Sequence, residues 1–408
     1  MALLRAGDVA AILRLYPDRG NARTARQGRH RHTGRTHMPP PRILRHPAAQ
    51  RALAATTAAC AALALWCTAS LAAPPLAAPA STAHKTDSHQ RPRSQAASRP
   101  WVLCAVFPHI KDAYWLAVNF GMIDEARRRG IEVRFLEAGG YPNLDLQRAH
   151  VRSCGADPTV NALIVGTVSF DGLSPLLQEV SQRIPVVATV NDIADAGVAA
   201  KVGVNWYDMG RAAGDYLTTR VASERGQVPI AWFPGPQGAG WVPFVDRGFR
   251  DAIAGSRIAV ATTAWGDTSK MVQRNLVQKT LDEHPGVRYL VGNALMAEAA
   301  VSVLRERGLQ GRIGIVSTYF TPAVHRGILR GRILAAPTDS PVLQGRLSVS
   351  QTVALLERQP LDRHVAPAVR IVDSSSLKRI DLADSLPPNL FIPQFRYQPP
   401  ARQQAGSK

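Results

Sequence analysis

From residue 101 onward the apolar positions of the chain follow two alternating patterns. Apolar runs at 101–107, 162–165 and 185–190 predict buried strands, and a β-rich run at 131–137, closed by a Gly-Gly-Tyr-Pro-Asn turn, predicts another strand. Between them, over 115–129, 145–151 and 173–182, apolar residues recur every three to four positions and predict helices. Gly130 follows the first of these as a stop signal. After a short apolar stretch at 202–204 the pattern begins again. Helices are expected at 207–221, 243–254, 269–284, 294–307 and 322–330, and strands at 228–233, 258–263, 289–292 and 312–317. Thr268 is the expected N-cap of the helix opening at 269. A strand at 334–336, a helix at 342–357 and an extended tail complete the chain.

Strands alternating with helices imply α/β architecture, with parallel sheets covered on both faces. A single barrel would satisfy the alternation. Two features favour two doubly wound parallel-sheet lobes with a ligand cleft between them. The 202–204 stretch reads as a crossover, and the segment 333–356 is surplus to a second lobe of six strands. The expected N-terminal lobe is 101–206 plus about 333–360, and the C-terminal lobe 207–332 plus about 361–395, with 396–408 as tail. Lobes joined by several hinge crossovers can close around a ligand.

The charge is unevenly placed. Of the formal +19, residues 1–100 hold 15 Lys and Arg against 3 Asp and Glu, leaving about +7 on the remaining residues, ordinary for a soluble domain of that size. That remainder has no aromatic-interleaved basic patch or helix-turn-helix pattern, which excludes nucleic acid as the partner. The basic N-terminus reads as export machinery. Arg42, Arg45 and Arg51 precede an Ala/Leu-rich apolar run at 52–66, and Ser70-Leu71-Ala72 forms a small-x-small site, so a signal peptide over 38–72 is expected, cleaved after Ala72. The run falls short of the roughly 20 residues of a membrane span. Residues 1–37 have no role in such a signal; translation from Met38 would give it the usual length, making 1–37 an over-long gene start. Residues 73–100, rich in Ala, Pro and Ser, read as a flexible leader.

Export leaves Cys104 and Cys154 in the mature chain. In an oxidising compartment they allow one disulfide; two small buried thiols are the alternative. No CxxC occurs and the histidines are scattered, so neither a metal site nor a cofactor is expected. No GxSxG elbow, P-loop or HExxH is present either, and the chain reads as non-catalytic.

The candidate chemistry is aromatic. Asp112, Tyr114 and Trp115 lie just after the first strand, in the loop leading to the first helix; in open α/β sheets ligands bind beyond the carboxyl ends of the strands. Tyr141, Trp206 and Tyr319 occupy equivalent loops. Each alone would suit core packing. Together they suggest a box whose ring faces attract a cation, at about 2 kcal/mol per desolvated ring, with Asp112 opposing a methylated ammonium group. Trp241 and Trp265 sit in longer loops, where surface packing is the stronger reading. A sugar site would need several Asp, Asn and Arg side chains for ring hydroxyls. The strand ending in Asn191-Asp192 supplies no Arg, and Ala294 stands where a sugar binder would use a carboxylate.

The segments CAVFPHIKDAYW (104–115), LEAGGYPN (136–143), GVNWYDMG (203–210), QRNLVQ (273–278), GIVSTY (314–319) and APTD (336–339) resemble the type I periplasmic binding protein superfamily. The resemblance runs from 101 to about 358 and is nearest to the family's trimethylamine N-oxide (TMAO) sensors. It implies a ribose-binding-like fold, a location in the periplasm, and TMAO held by Tyr114, Trp115, Tyr141, Trp206 and Tyr319 with Asp112 beside them. It also implies docking on the periplasmic sensor domain of a histidine kinase that induces TMAO respiration. Residues 234–244 (PGPQGAGWVPF) depart from the family's pattern, so no role in kinase contact or lobe closure is carried over to them. The reading of another class is solute capture for an ABC importer of a sugar or other polar solute.

Overall fold

The computed structural model describes residues 101–400, all within one compact unit, Thr86–Lys408. The expected upstream extension (1–37), signal peptide with its cleavage site and leader, and the last eight residues of the expected tail, lie outside the described residues.

The chain lays down β1 (Val102–Phe107), α1 (Ala113–Arg129), β2 (Glu132–Glu137), α2 (Leu144–Ala156), β3 (Ala162–Val165), α3 (Ser174–Ser181), β4 (Val186–Thr189) and β5 (Ala200–Val202). It continues through α4 (Trp206–Val221), β6 (Val228–Phe233), α5 (Val242–Ile253), β7 (Ile258–Thr263), α6 (Lys270–Glu283), β8 (Tyr289–Gly292), α7 (Ala294–Glu306), β9 (Gly314–Ser317), α8 (Pro322–Leu329) and β10 (Ala335–Thr338). It ends with α9 (Pro341–Leu356), β11 (His364–Val365), β12 (Arg370–Asp373) and β13 (Arg396–Tyr397). These strands build two open sheets, not a barrel: a seven-stranded sheet in the order β11-β5-β4-β3-β1-β2-β13, and a six-stranded sheet in the order β12-β10-β9-β8-β6-β7. Pairing is parallel except at the edges, where β13 runs antiparallel to β2 and β12 to β10. The fold is the two-lobed α/β architecture.

The lobe boundaries differ from those expected. β10 pairs with β9 and β12 in the second sheet, so the chain returns to the first lobe after it and not at about residue 333. The returning element is α9, packed on α1. Their backbones touch through glycine: a Cβ on Gly121 would stand 2.0 Å from the Val342 carbonyl oxygen, and one on Gly345 2.3 Å from that of Val118. The segment 361–395 does not belong to the second lobe alone, because β11 adds to β5 of the first sheet while β12 joins the second. Nor is 396 onward only a tail, since Arg396–Tyr397 forms the edge strand against β2. The expected strand at 202–204 is β5, a full member of the first sheet, and the crossing follows it at 203–205.

Local caps fix where the helices start. Asn205 Oδ1 accepts the Tyr207 amide at 2.9 Å, and Asn293 Oδ1 accepts the Met296 amide at 3.0 Å. α6 is capped by Ser269, whose Oγ accepts from Val272 N; the expected cap, Thr268, instead turns its hydroxyl to His109. Gly130, in the left-handed conformation at φ 66°, ends α1. Cys104 on β1 and Cys154 on α2 are joined by a disulfide, their Cα atoms 6.0 Å apart. One buried apolar cluster runs from Phe107, Trp115 and Met122 through Trp206, Trp241 and Tyr319 to Leu290 and Ile315, so the first lobe's core continues across the cleft into the second.

Candidate functional site

The carboxyl ends of β1, β2, β4, β6, β7 and β9, with the entry to α4, converge between the lobes. Asp112, Tyr114, Trp115, Tyr141, Trp206 and Tyr319 all line one small cavity there, together with Trp241, Asn191 and Thr268. The cavity measures about 10 Å³, the scale of a single water, because the rings pack on one another. Trp206 lies 4.7 Å from Trp241, 5.9 Å from Tyr319 and 6.1 Å from Tyr114, ring centroid to ring centroid. Tyr114 meets Tyr319 edge to face at 5.5 Å, the geometry that the ring quadrupole favours. Trp115 lies against Phe107 and directly over Gly166, where a Cβ would come within 2.3 Å of its ring.

Most polar tips have a partner that holds the ring still; Trp241 Nε1 has none. Asp112 caps α1 by accepting the Tyr114 amide at 2.9 Å, and its other oxygen accepts the Tyr319 hydroxyl at 2.6 Å. Tyr114 donates to Asp339 at 2.6 Å, and Gln344 Nε2 donates to the same carboxylate oxygen at 2.7 Å. Asn191 Nδ2 donates to the Tyr141 hydroxyl at 3.3 Å. Trp206 Nε1 donates to the Val190 carbonyl at 3.1 Å, and Val190 holds a left-handed backbone at φ 68°. The Asp112–Tyr319 pair joins the first lobe to the second, and the Tyr114–Asp339 pair ties the first lobe to the crossover between β10 and α9.

Burial dominates the electrostatics. It pushes the Asp112 carboxyl up to about 6, against the hydrogen bonds from Tyr114 and Tyr319, which favour the charged form. Asp339 is raised for the same reason. The Tyr114 and Tyr319 hydroxyls are driven well above their ordinary value by burial and by the carboxylate each one meets. At the rim, burial and the Lys111 charge lower His109 to about 4, so this ring is neutral where it faces Thr268 Oγ1 at 3.3 Å. Outside it, Lys111 Nζ pairs with Asp267 at 2.7 Å across the lobes.

Sequence reasoning undervalued three groups. Trp241 is 2% exposed and is a wall of the cavity, not a surface residue. The loop before it brings it there: Gly235, at φ 131°, packs under the Trp241 ring, and the Gly240 amide donates to Val168 O across the lobes at 3.3 Å. The divergent segment 234–244 is thus part of the lobe contact. Asp339 and Gln344 were missed as partners of Tyr114; Asp339 closes the APTD segment, but nothing local shows what it faces. Trp265 is partly buried against the core and does not line the cavity. Among the described residues no group of three or more His, Cys, Asp or Glu could hold a metal ion, and no helix is long and apolar enough to cross a membrane.

Two open α/β sheets, lobes packed on each other and a cluster of aromatic rings between them are the architecture of a binding protein of the periplasmic type. The chain belongs to the periplasmic binding protein domain family, whose model matches residues 104–360. It is 38% identical to the periplasmic protein TorT of Escherichia coli K12 over 307 residues, 74% of this chain and 86% of that protein. Among solved structures it is similar to TorT in complex with the TorS sensor domain in the presence of TMAO, at 39% identity and a TM-score of 0.67, covering 72% of this chain and 99% of that one. It is also similar to an ABC transporter solute-binding protein from Bradyrhizobium sp. BTAi1 with bound bis-tris, at 44% identity and a TM-score of 0.64, covering 74% of this chain and 90% of that one. These relatives are named as binding and periplasmic proteins, not as enzymes.

Proposed function

We propose that this chain is a TorT-like periplasmic sensor that binds TMAO between its lobes and regulates the periplasmic sensor domain of a TorS-type histidine kinase, inducing TMAO respiration. The observation that carries the reading is the set of five aromatic side chains, with Trp241 as a sixth, around buried Asp112. Trimethylated nitrogen carries positive charge spread over its methyl groups and has no N–H to donate, so ring faces recognise it better than hydrogen-bond acceptors do. The oxide oxygen needs a donor. Trp241 Nε1 is buried in the site without a hydrogen-bond partner and suits that role. A ligand of five heavy atoms needs more than the 10 Å³ between the rings, so binding requires the lobes to part and reclose around it. The ligand biases the kinase only by its differential affinity for the two arrangements.

Calorimetric titration of residues 73–408 with TMAO, with and without the kinase's sensor domain, tests this, with ribose and trimethylamine as controls. Heat with TMAO and none with ribose is expected. Silence with TMAO in both arms would overturn the reading.

The similarity to the Bradyrhizobium solute-binding protein favours a second reading, capture for an ABC importer. It predicts that loss of a partner permease abolishes uptake, and that loss of a sensor kinase has no effect on function.

A further inference from the structure

We propose that the base of the second lobe is a separate binding site for an oxyanion, either inorganic phosphate or the phosphate group of a larger polyanion. A cavity of about 200 Å³ opens at the amino ends of β8, β9 and β10, lined by Arg220, Arg288, Arg312 and Arg332 with Tyr289 and Gln310. It lies at the opposite end of these strands from Tyr319 and Asp339, so it is no extension of the aromatic site.

The charge there is only partly compensated. Between residues 284 and 334 seven arginines stand against two glutamates. Of the four that line the cavity, Arg288 is paired with Glu224, which also accepts the Tyr289 hydroxyl at 2.9 Å. Arg220, Arg312 and Arg332 have no ion-pair partner among the described residues. Three guanidinium groups facing one concavity repel each other, and an anion seated among them relieves that repulsion. The guanidinium fork matches two oxygens of a phosphate at once, which a lysine cluster would not do. The backbone places two of them deliberately: Gly311 (φ 74°) and Gly331 (φ 64°) form left-handed turns just before Arg312 and Arg332, where any other residue would be strained.

The test uses the mature chain at low ionic strength. Inorganic phosphate and pyrophosphate are titrated calorimetrically, and phosphatidylglycerol vesicles are compared with phosphatidylcholine vesicles by flotation. Binding that weakens at least tenfold in the Arg312→Gln/Arg332→Gln double variant is expected, with Arg152→Gln, on α2 of the other lobe, as an unaffected control. Heat with the soluble anions assigns a free ligand. Flotation with phosphatidylglycerol alone, lost in the double variant, assigns a lipid headgroup. All four arginines are exposed, so the variants keep the fold, which thermal melting verifies. No binding to any probe, or binding that the double variant leaves unchanged, overturns the proposal.

Discussion

Two sets of contacts hold the lobes together, and they differ in what water can reach. Inside the cleft, Asp112–Tyr319 and Tyr114–Asp339 are hydrogen bonds between groups that are nearly or fully buried. At the rim, Lys111–Asp267 has a comparable 2.7 Å separation, but the lysine side chain is 38% exposed. A similar distance therefore means different energies. Removing one member of a buried pair leaves its partner short of a hydrogen bond that water cannot replace, at a cost of about 1–3 kcal/mol. An exposed ion pair contributes about 0–1 kcal/mol and is screened by salt. The closed cleft is held from within, by the same residues that would meet a ligand, and the rim pair contributes little.

The sharpest way to break that comparison is Trp206→Ala, which removes the ring that touches Tyr114, Trp241 and Tyr319. It should raise the dissociation constant for TMAO at least a hundredfold, about 3 kcal/mol, by calorimetry. Trp206→Phe should recover part of the loss. An unchanged affinity in both variants would remove the rings from the binding account.

Asp112→Asn comes next and is read through pH. The folded carboxyl, raised to about 6, holds its proton where the unfolded one, at 3.8, has released it. The unfolded state thus binds fewer protons across that window, so this group's contribution to stability falls as pH rises from 3.8 to about 6 and is constant above. Asn does not titrate. The stability difference between wild type and variant should therefore shift toward the variant by up to about 3 kcal/mol between pH 4 and pH 7 in urea melts. Asp192, raised by burial in the same direction, is present in both proteins and cancels. A difference that does not change with pH would show that Asp112 ionises normally in the fold.

Tyr114→Phe should lower the unfolding free energy by about 1–3 kcal/mol in urea melts, since Asp339 keeps Gln344 but loses its hydroxyl donor. Lys111→Ala should be the smallest, below about 1 kcal/mol and erased by 0.5 M salt. A larger effect from Lys111→Ala than from Tyr114→Phe would reverse the comparison.

Much of the site was legible in the sequence because it depends on strand ends. A strand that stops at Phe107, Glu137 or Ser317 must deliver the following loop to the same edge of its sheet, so Tyr114, Tyr141 and Tyr319 could be grouped without coordinates. Trp241 escaped because its loop is long: seven residues separate it from the end of β6, and only the close approach of Gly235 and Gly240 to their neighbours turns the indole inward. Asp339 escaped for another reason. Its partner Tyr114 is 225 residues away, and no local pattern encodes a hydrogen bond at that range.

The same division runs through the whole protein. Periodicity, turn residues and strand ends are local signals, so the alternation of strand and helix, the two-lobed class and the aromatic character of the cleft are written in the chain. Packing in three dimensions keeps β10 with the second sheet while α9 crosses to the first, divides the tail's strands between both sheets, and brings tyrosine hydroxyls to buried carboxylates in the cleft. Those outcomes depend on which surfaces fit when the lobes pack together. Two glycines that let α9 lie on α1 read, in the chain alone, like any other glycines.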